Sequence, residues 1–134
     1  RGVKPYELSS DLETALDGFY AERNKNSVLA RVYQAIRIEV NQEMQALEIM
    51  LTQATQLLKP GGRLVVMSYH SLEDRMVKNL IQVGNVSGER IADEFGRVEK
   101  VYKAVTKKPV VAATEEVKRN PRARSAKLRI AEKI

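Results

Sequence analysis

The sequence predicts an α/β fold, and three observations carry that prediction. A long apolar stripe at helical spacing ends in Lys59-Pro60-Gly61-Gly62. A short apolar run from Arg63 to Tyr69 follows it, and Ser71-Leu72-Glu73-Asp74 then opens a second helical pattern. Helix, glycine turn, buried strand and helix in that order make an α/β unit.

The elements can be justified in order. Ser9, Ser10 and Asp11 are helix-capping residues, and Glu13 stands three positions after Ser10 as a capping-box partner. A short helix is expected from Asp11 to Asp17, ended by Gly18, and the polar residues 21–26 read as a loop. Val28, Val32, Ala35, Ile36, Val40, Met44, Leu47, Leu51, Ala54 and Leu58 then recur at three- and four-residue steps, which is a helical stripe. One rod and two helices meeting near Asn41 both satisfy it. Pro60 cannot continue the ladder and Gly61 accepts a left-handed cap, so the stripe stops there.

The low polarity of Arg63–Tyr69 predicts a strand buried on both faces, as in a parallel sheet. Ser71 reads as the N-cap of the next helix, whose apolar side is Met76, Val77, Leu80 and Ile81. Between Gly84 and Lys100 glycines interrupt charged residues, and a mobile surface loop is expected. Val101–Ala113 holds extended segments split at Thr106-Lys107-Lys108-Pro109. Thr114-Glu115-Glu116 caps a short helical turn, Asn120-Pro121 breaks it, and Ala126–Ala131 alternates as a final strand.

Composition excludes several classes of function. No apolar run reaches the ~18 residues of a membrane span, and the polar start shows no signal peptide. The first residue is not methionine, so the 134 residues read as a piece of a longer protein. The absence of cysteine rules out disulfides, zinc ribbons and thiol catalysis, and fits a reducing cytoplasm. The net charge of +6 is concentrated late, in Lys118, Arg119, Arg122, Arg124, Lys127, Arg129 and Lys133, opposed by Glu132. Such an excess suits a polyanion such as nucleic acid or is a solvated basic face.

His70 is the single histidine, placed between a strand and a helix. Ligands of open α/β sheets bind outside the carboxyl ends of strands, and a helix N-terminus offers free N–H groups there. Ser71 adds a hydroxyl at this junction, and Glu73 and Asp74 can orient His70 or a substrate amine. Equally, Ser71 and Asp74 can be plain caps with His70 packed locally. Arg119-Asn120-Pro121-Arg122-Ala123-Arg124-Ser125 is basic and held by proline, and its forks suit phosphate oxygens, with no aromatic interleaved for base stacking. Pairing of these arginines with carboxylates on neighbouring elements is the structural alternative. Arg37, among apolar neighbours on its helix, either lines a cleft or snorkels to the surface. Gly61-Gly62 precedes a strand, which is the wrong side for a phosphate loop. No metal-ligand spacing and no nucleophilic triad is visible.

Four runs together resemble one family. They are Tyr33-Gln34-Ala35-Ile36-Arg37-Ile38-Glu39-Val40-Asn41, Leu58-Lys59-Pro60-Gly61-Gly62-Arg63-Leu64, Ser68-Tyr69-His70-Ser71-Leu72-Glu73-Asp74-Arg75 and Arg119-Asn120-Pro121-Arg122-Ala123-Arg124-Ser125-Ala126-Lys127-Leu128-Arg129. In this order they resemble the ribosomal RNA small subunit methyltransferase H family, from about Ser9 to the end. The Pro-Gly-Gly turn is common among methyltransferases, whereas the second pair of runs is specific.

The resemblance implies transfer of a methyl group from S-adenosylmethionine to the exocyclic N4 amine of a cytosine in 16S rRNA, within the small ribosomal subunit. It implies a partial class I (Rossmann-like) methyltransferase sheet with helices, the last two strands forming its antiparallel edge. Residues 1–26 would be the end of a helical insertion and 27–134 the carboxy-terminal part of the methyltransferase domain. Members of the family are roughly twice as long, and their cofactor-binding motifs belong to the amino-terminal half, so no cofactor binding is expected of this portion alone and it should be inactive. His70, Ser71, Glu73 and Asp74 become the acceptor side, and Arg37, Arg119, Asn120, Arg122, Arg124 and Arg129 the RNA contacts. The competing functions are a non-catalytic basic RNA-binding module and a structural module that forms homo-oligomers through an exposed sheet edge. A membrane partner is not expected.

Overall fold

The computed structural model describes residues 5–134, so the polar start Arg1–Lys4 lies outside the described residues. The chain divides into two compact units, one ending at Glu43 and one spanning Met44–Ile134.

In the first unit α1 is Ser9–Leu16. The expected Ser10–Glu13 capping box does not form. The helix starts early enough to put Asp11 in its first turn, and Asp11 Oδ2 accepts the backbone N–H groups of Glu7 (3.1 Å) and Leu8 (3.0 Å). Those two donors hold the exposed Asp11 carboxyl below the usual carboxylate range. A 3₁₀ turn, Glu22–Asn24, leads into α2, Lys25–Val40, where a loop to residue 26 was expected. The Tyr33 hydroxyl donates to Ser9 O (3.3 Å) and Glu13 Oε1 (3.4 Å), tying α2 to α1. Leu29 is the buried residue of α2, and Val40, on the same predicted stripe, is exposed.

The stripe is two helices. Gln42 takes the left-handed conformation, φ +50°, and interrupts the ladder before α3, Glu43–Leu57. Arg37 Nε and Nη2 donate to Glu43 Oε1 (2.8 Å) and Oε2 (3.1 Å) across that interruption.

The second unit is built around β1, Arg63–Ser68; α4, Ser71–Val83; β2, Tyr102–Ala104; β3, Val110–Val111; α5, Thr114–Arg119; and β4, Lys127–Lys133. The turn between α3 and β1 needs glycine at position 62. A Cβ there would stand 2.8 Å from Lys59 O. At the far end of α4, Gly84 supplies the left-handed cap, φ +82°, and its N–H donates to Leu80 O. Residues 84–100 are irregular apart from one bridge between Ala92 and Val98.

The sheet order is β1-β4-β2, with β3 also paired to β4, and every pairing is antiparallel. β4 thus sits inside the sheet and β2 at its edge, the antiparallel arrangement expected of the last strands. One sheet face carries the core: Leu64 and Ala131 with Val77, Leu80 and Ile81 of α4, Leu51 of α3, and Tyr102. The Tyr102 hydroxyl donates to Thr55 Oγ1 (3.0 Å), and Lys133 Nζ donates to the carbonyls of Thr55 (2.6 Å) and Leu58 (2.8 Å), closing the end of α3 against the sheet.

The other face departs from the expectation of a strand buried on both sides. Val65 is 55% exposed and Met67 53%. Register places Ile130 opposite Val65, and Leu128 opposite both Met67 and Val110, so the open face is apolar across three strands. Among the described residues, β1 pairs through one edge only. No described helix is long and apolar enough to cross a membrane.

Candidate functional site

The antiparallel register pairs Ser68, the last residue of β1, with Lys127, the first of β4. Residues 69–74 leave β1 at the end of the sheet where residues 119–126 enter β4. Two charged runs far apart in sequence therefore meet at one end of the sheet.

The first of them caps α4. His70 is the N-cap, not Ser71, whose side chain is exposed. The Glu73 N–H donates to His70 Nδ1 (3.4 Å), which leaves the ring proton on Nε2. Glu73 Oε2 reaches back and accepts the N–H groups of Tyr69 (2.8 Å) and His70 (3.3 Å). This is a reciprocal capping box with histidine in the place of serine or threonine. His70 Nε2 lies 3.1 Å from Glu73 Oε1 but out of line, and is a buried nitrogen without a hydrogen-bond partner. Glu73 thus orients His70, one of the two roles open to it from the sequence.

Asp74 does something else. Its buried carboxylate faces β4, where Arg129 Nε donates to Oδ1 (2.7 Å), Arg129 Nη2 to Oδ2 (3.2 Å) and Lys127 Nζ to Oδ2 (3.4 Å). The Arg129 hydrogen bond comes first among the causes that hold the Asp74 carboxyl below the usual range, against burial, which pushes it up. Grouping Asp74 with His70, and Arg129 with the phosphate-contacting arginines, is thereby corrected on geometry. These two residues are committed to each other, and Arg129 is 14% exposed. Arg37, in the other unit, likewise pairs with a carboxylate, Glu43.

The basic run behaves differently. Pro121–Ser125 forms a 3₁₀ turn after α5, anchored by the buried Ala123. Arg119 makes a long, exposed pair with Glu116 at 3.7 Å. No hydrogen bond or ion pair engages the side chains of Asn120, Arg122 or Arg124 among the described residues, and both arginines are exposed. Between this turn and the open sheet face lies a cleft of about 930 Å³, lined among others by Met67, Tyr69, Leu128, Asn120 and Arg122.

The sequence reading missed the sheet side of that cleft, Met67 and Tyr69. The signal was present in the alternation Val65, Met67, Tyr69 down one face, hidden because the whole run is apolar. Among the described residues no group of His, Asp or Glu could hold a metal ion.

Comparison with known proteins matches residues 1–134 to the MraW methylase family. The chain is 55% identical over 133 residues to the ribosomal RNA small subunit methyltransferase H of Phocaeicola vulgatus, covering 99% of this chain and 44% of that protein. It is 59% identical over 115 residues to the protein of the same name from Bacteroides thetaiotaomicron, covering 86% and 38%. For the one from Flavobacterium johnsoniae the identity is 49% over 134 residues, covering 100% and 44%. The chain spans less than half the length of these curated relatives. Its helices and open four-stranded sheet are part of a class I methyltransferase fold. The chain belongs to the MraW methylase family.

Proposed function

We propose that this chain is the acceptor-side portion of an rRNA methyltransferase that modifies the N4 amine of a cytosine in 16S rRNA. One observation carries the reading: the Ser68–Lys127 register brings the His70 cap and the unpaired Arg122 and Arg124 to the same end of the sheet. Relatives sharing this whole stretch bear the name ribosomal RNA small subunit methyltransferase H.

The methyl donor that the family implies, S-adenosylmethionine, does not find its site in these residues. No glycine loop follows a described strand. Gly61 and Gly62 precede β1, and their N–H groups are spent on Lys133 O and Lys59 O. The portion alone should therefore be inactive, with its cytoplasmic enzyme completed by the other half of the relatives' length. What these residues contribute is positioning, which carries much of the rate when an amine must be aligned for transfer. His70 and Ser71 sit where an exocyclic amine would approach, Glu73 fixes the imidazole, and Arg119, Asn120, Arg122 and Arg124 hold the RNA backbone. Asp74 with Arg129 keeps α4 seated on β4 so that His70 stays in place.

In a polypeptide carrying this chain behind the amino-terminal half of its relatives, His70→Ala should cut methyl transfer at least tenfold. Unchanged turnover would sink the assignment. Calorimetry of the 134-residue chain with S-adenosylmethionine checks the incomplete site, which micromolar binding would disprove. The open edge of β1 favours a second reading, a non-catalytic module that self-associates. Light scattering showing a stable dimer, together with wild-type turnover for His70→Ala, would replace the first reading with that one.

A further inference from the structure

We infer that the cleft between the open sheet face and the Pro121–Ser125 turn holds one nucleotide of the RNA, its base on the Tyr69 ring and its phosphate on Arg122. The inference rests on the RNA-acting reading and extends it to a separate subsite.

Four observations converge there. The volume, about 930 Å³, lies in the range of small-ligand sites. Tyr69 is 56% exposed, and its backbone is pinned by the 2.8 Å bond to Glu73, so the ring is presented from a fixed junction. Met67, Leu128 and Val110 make the apolar floor that a base face requires, and Asn120, Arg122 and Ser125 line the polar side. The side chains of those three residues have no hydrogen-bond or ion-pair partner among the described residues. Glu116, the one carboxylate of the lining, is offset by its pair with Arg119. An aromatic plane, an amide and a free guanidinium around an apolar floor match how single-stranded RNA is read, by stacking and by contacts to base edges and phosphates. A purely apolar partner would leave Arg122 and Asn120 unused.

The backbone at His70 is extended (φ −134°, ψ 164°), so Tyr69 and His70 point to opposite sides of the chain. The nucleotide on Tyr69 is therefore a neighbour of the one that His70 would face, and it sets the position of the RNA strand.

The test uses the 134-residue chain with carbon-13-labelled methionine methyl groups, titrated with cytidine 5′-monophosphate, cytidine and inorganic phosphate. The nucleotide should shift the methyl signal of Met67 and leave that of Met76, on the core side, in place. Tyr69→Ala should weaken this binding at least tenfold. Tyr69→Phe should keep it within about twofold, because the ring and not the hydroxyl stacks. Arg122→Ala should abolish the preference for the monophosphate over cytidine. An unmoved Met67, or unchanged affinity in Tyr69→Ala, overturns the inference. If a short oligoribonucleotide still binds in either case, the cleft is wrong and the RNA reading survives. If it does not bind, both fall. A Met67 signal that moves with protein concentration alone means that a second copy fills the cleft, and likewise overturns the inference.

Discussion

The first turn of α4 and the turn at Pro121–Ser125 meet at the same end of one sheet, and both are densely charged. In the first turn of α4 the carboxylates are spent. Glu73 serves two backbone N–H groups and Asp74 serves Arg129 and Lys127. At the second turn Arg122 and Arg124 serve nothing within the described residues. Similar side chains thus do opposite work, and the difference is geometric. A helix N-terminus sits over free N–H groups that any nearby carboxylate will satisfy. A short 3₁₀ turn held by proline and Ala123 leaves its long side chains pointing into water. The spent residues build the site and the unspent ones are available to a ligand.

If that contrast is right, its largest consequence is for stability. Asp74→Ala leaves Arg129 buried and unpaired, and loss of one partner of such a pair costs about 3–5 kcal/mol. Urea unfolding of the chain should show it directly, and a loss under about 1 kcal/mol would place the pair among ordinary surface bridges. The pH dependence follows from the lowered carboxyl. Its stabilisation is fully present above the ordinary carboxylate value of about 4, and is lost as pH falls through the lower folded value. Asp74→Ala should therefore flatten the acid side of the stability profile, and an unchanged acid limb would show that other carboxylates set it.

Glu73 gives the next largest effect. Removing it orphans the N–H groups of Tyr69 and His70, and losing a helix cap costs about 1 kcal/mol. Glu73→Gln keeps a carbonyl acceptor and should recover most of that loss. Equal destabilisation by Glu73→Ala and Glu73→Gln would mean that charge beside His70, not the two backbone bonds, is what the residue supplies.

Much of this fold was legible because its signals are local. The apolar side of α4, the Pro-Gly-Gly stop and the final alternating strand each lie within one stretch of sequence, and all three stand in the structure. The break near Asn41 was half legible: the stripe allowed it, and Gln42 decided it through a backbone angle that composition does not reveal. The parallel-type, doubly buried strand was misread because the apolar count of Arg63–Tyr69 does not say how many faces are covered, and here one face carries no described helix. The fates of Asp74 and Arg129 were illegible for a different reason. Nothing in a sequence separates an arginine that meets a carboxylate 55 positions away from one that meets none. His70 was found, since a lone histidine after a strand is conspicuous, yet its service as the N-cap needed coordinates.

The smallest effect on the protein, and the sharpest on its partner, belongs to the unspent turn. Arg122→Ala with Arg124→Ala removes two exposed, unpaired side chains, so folding stability should change by no more than about 0.5 kcal/mol. RNA affinity should nonetheless fall, and its dependence on salt should weaken. Each phosphate of a single strand that a cation neutralises adds about 0.7 to the steepness of log K against log salt, so removing two such cations should lower it by about 1.4. An unaltered slope in the double variant would show that these arginines touch no phosphate. Lys107→Ala with Lys108→Ala, an exposed pair between β2 and β3, is the charge-matched control. If it lowers the slope equally, the polyanion senses only net charge, and the distinction between spent and unspent residues carries no information about where RNA sits.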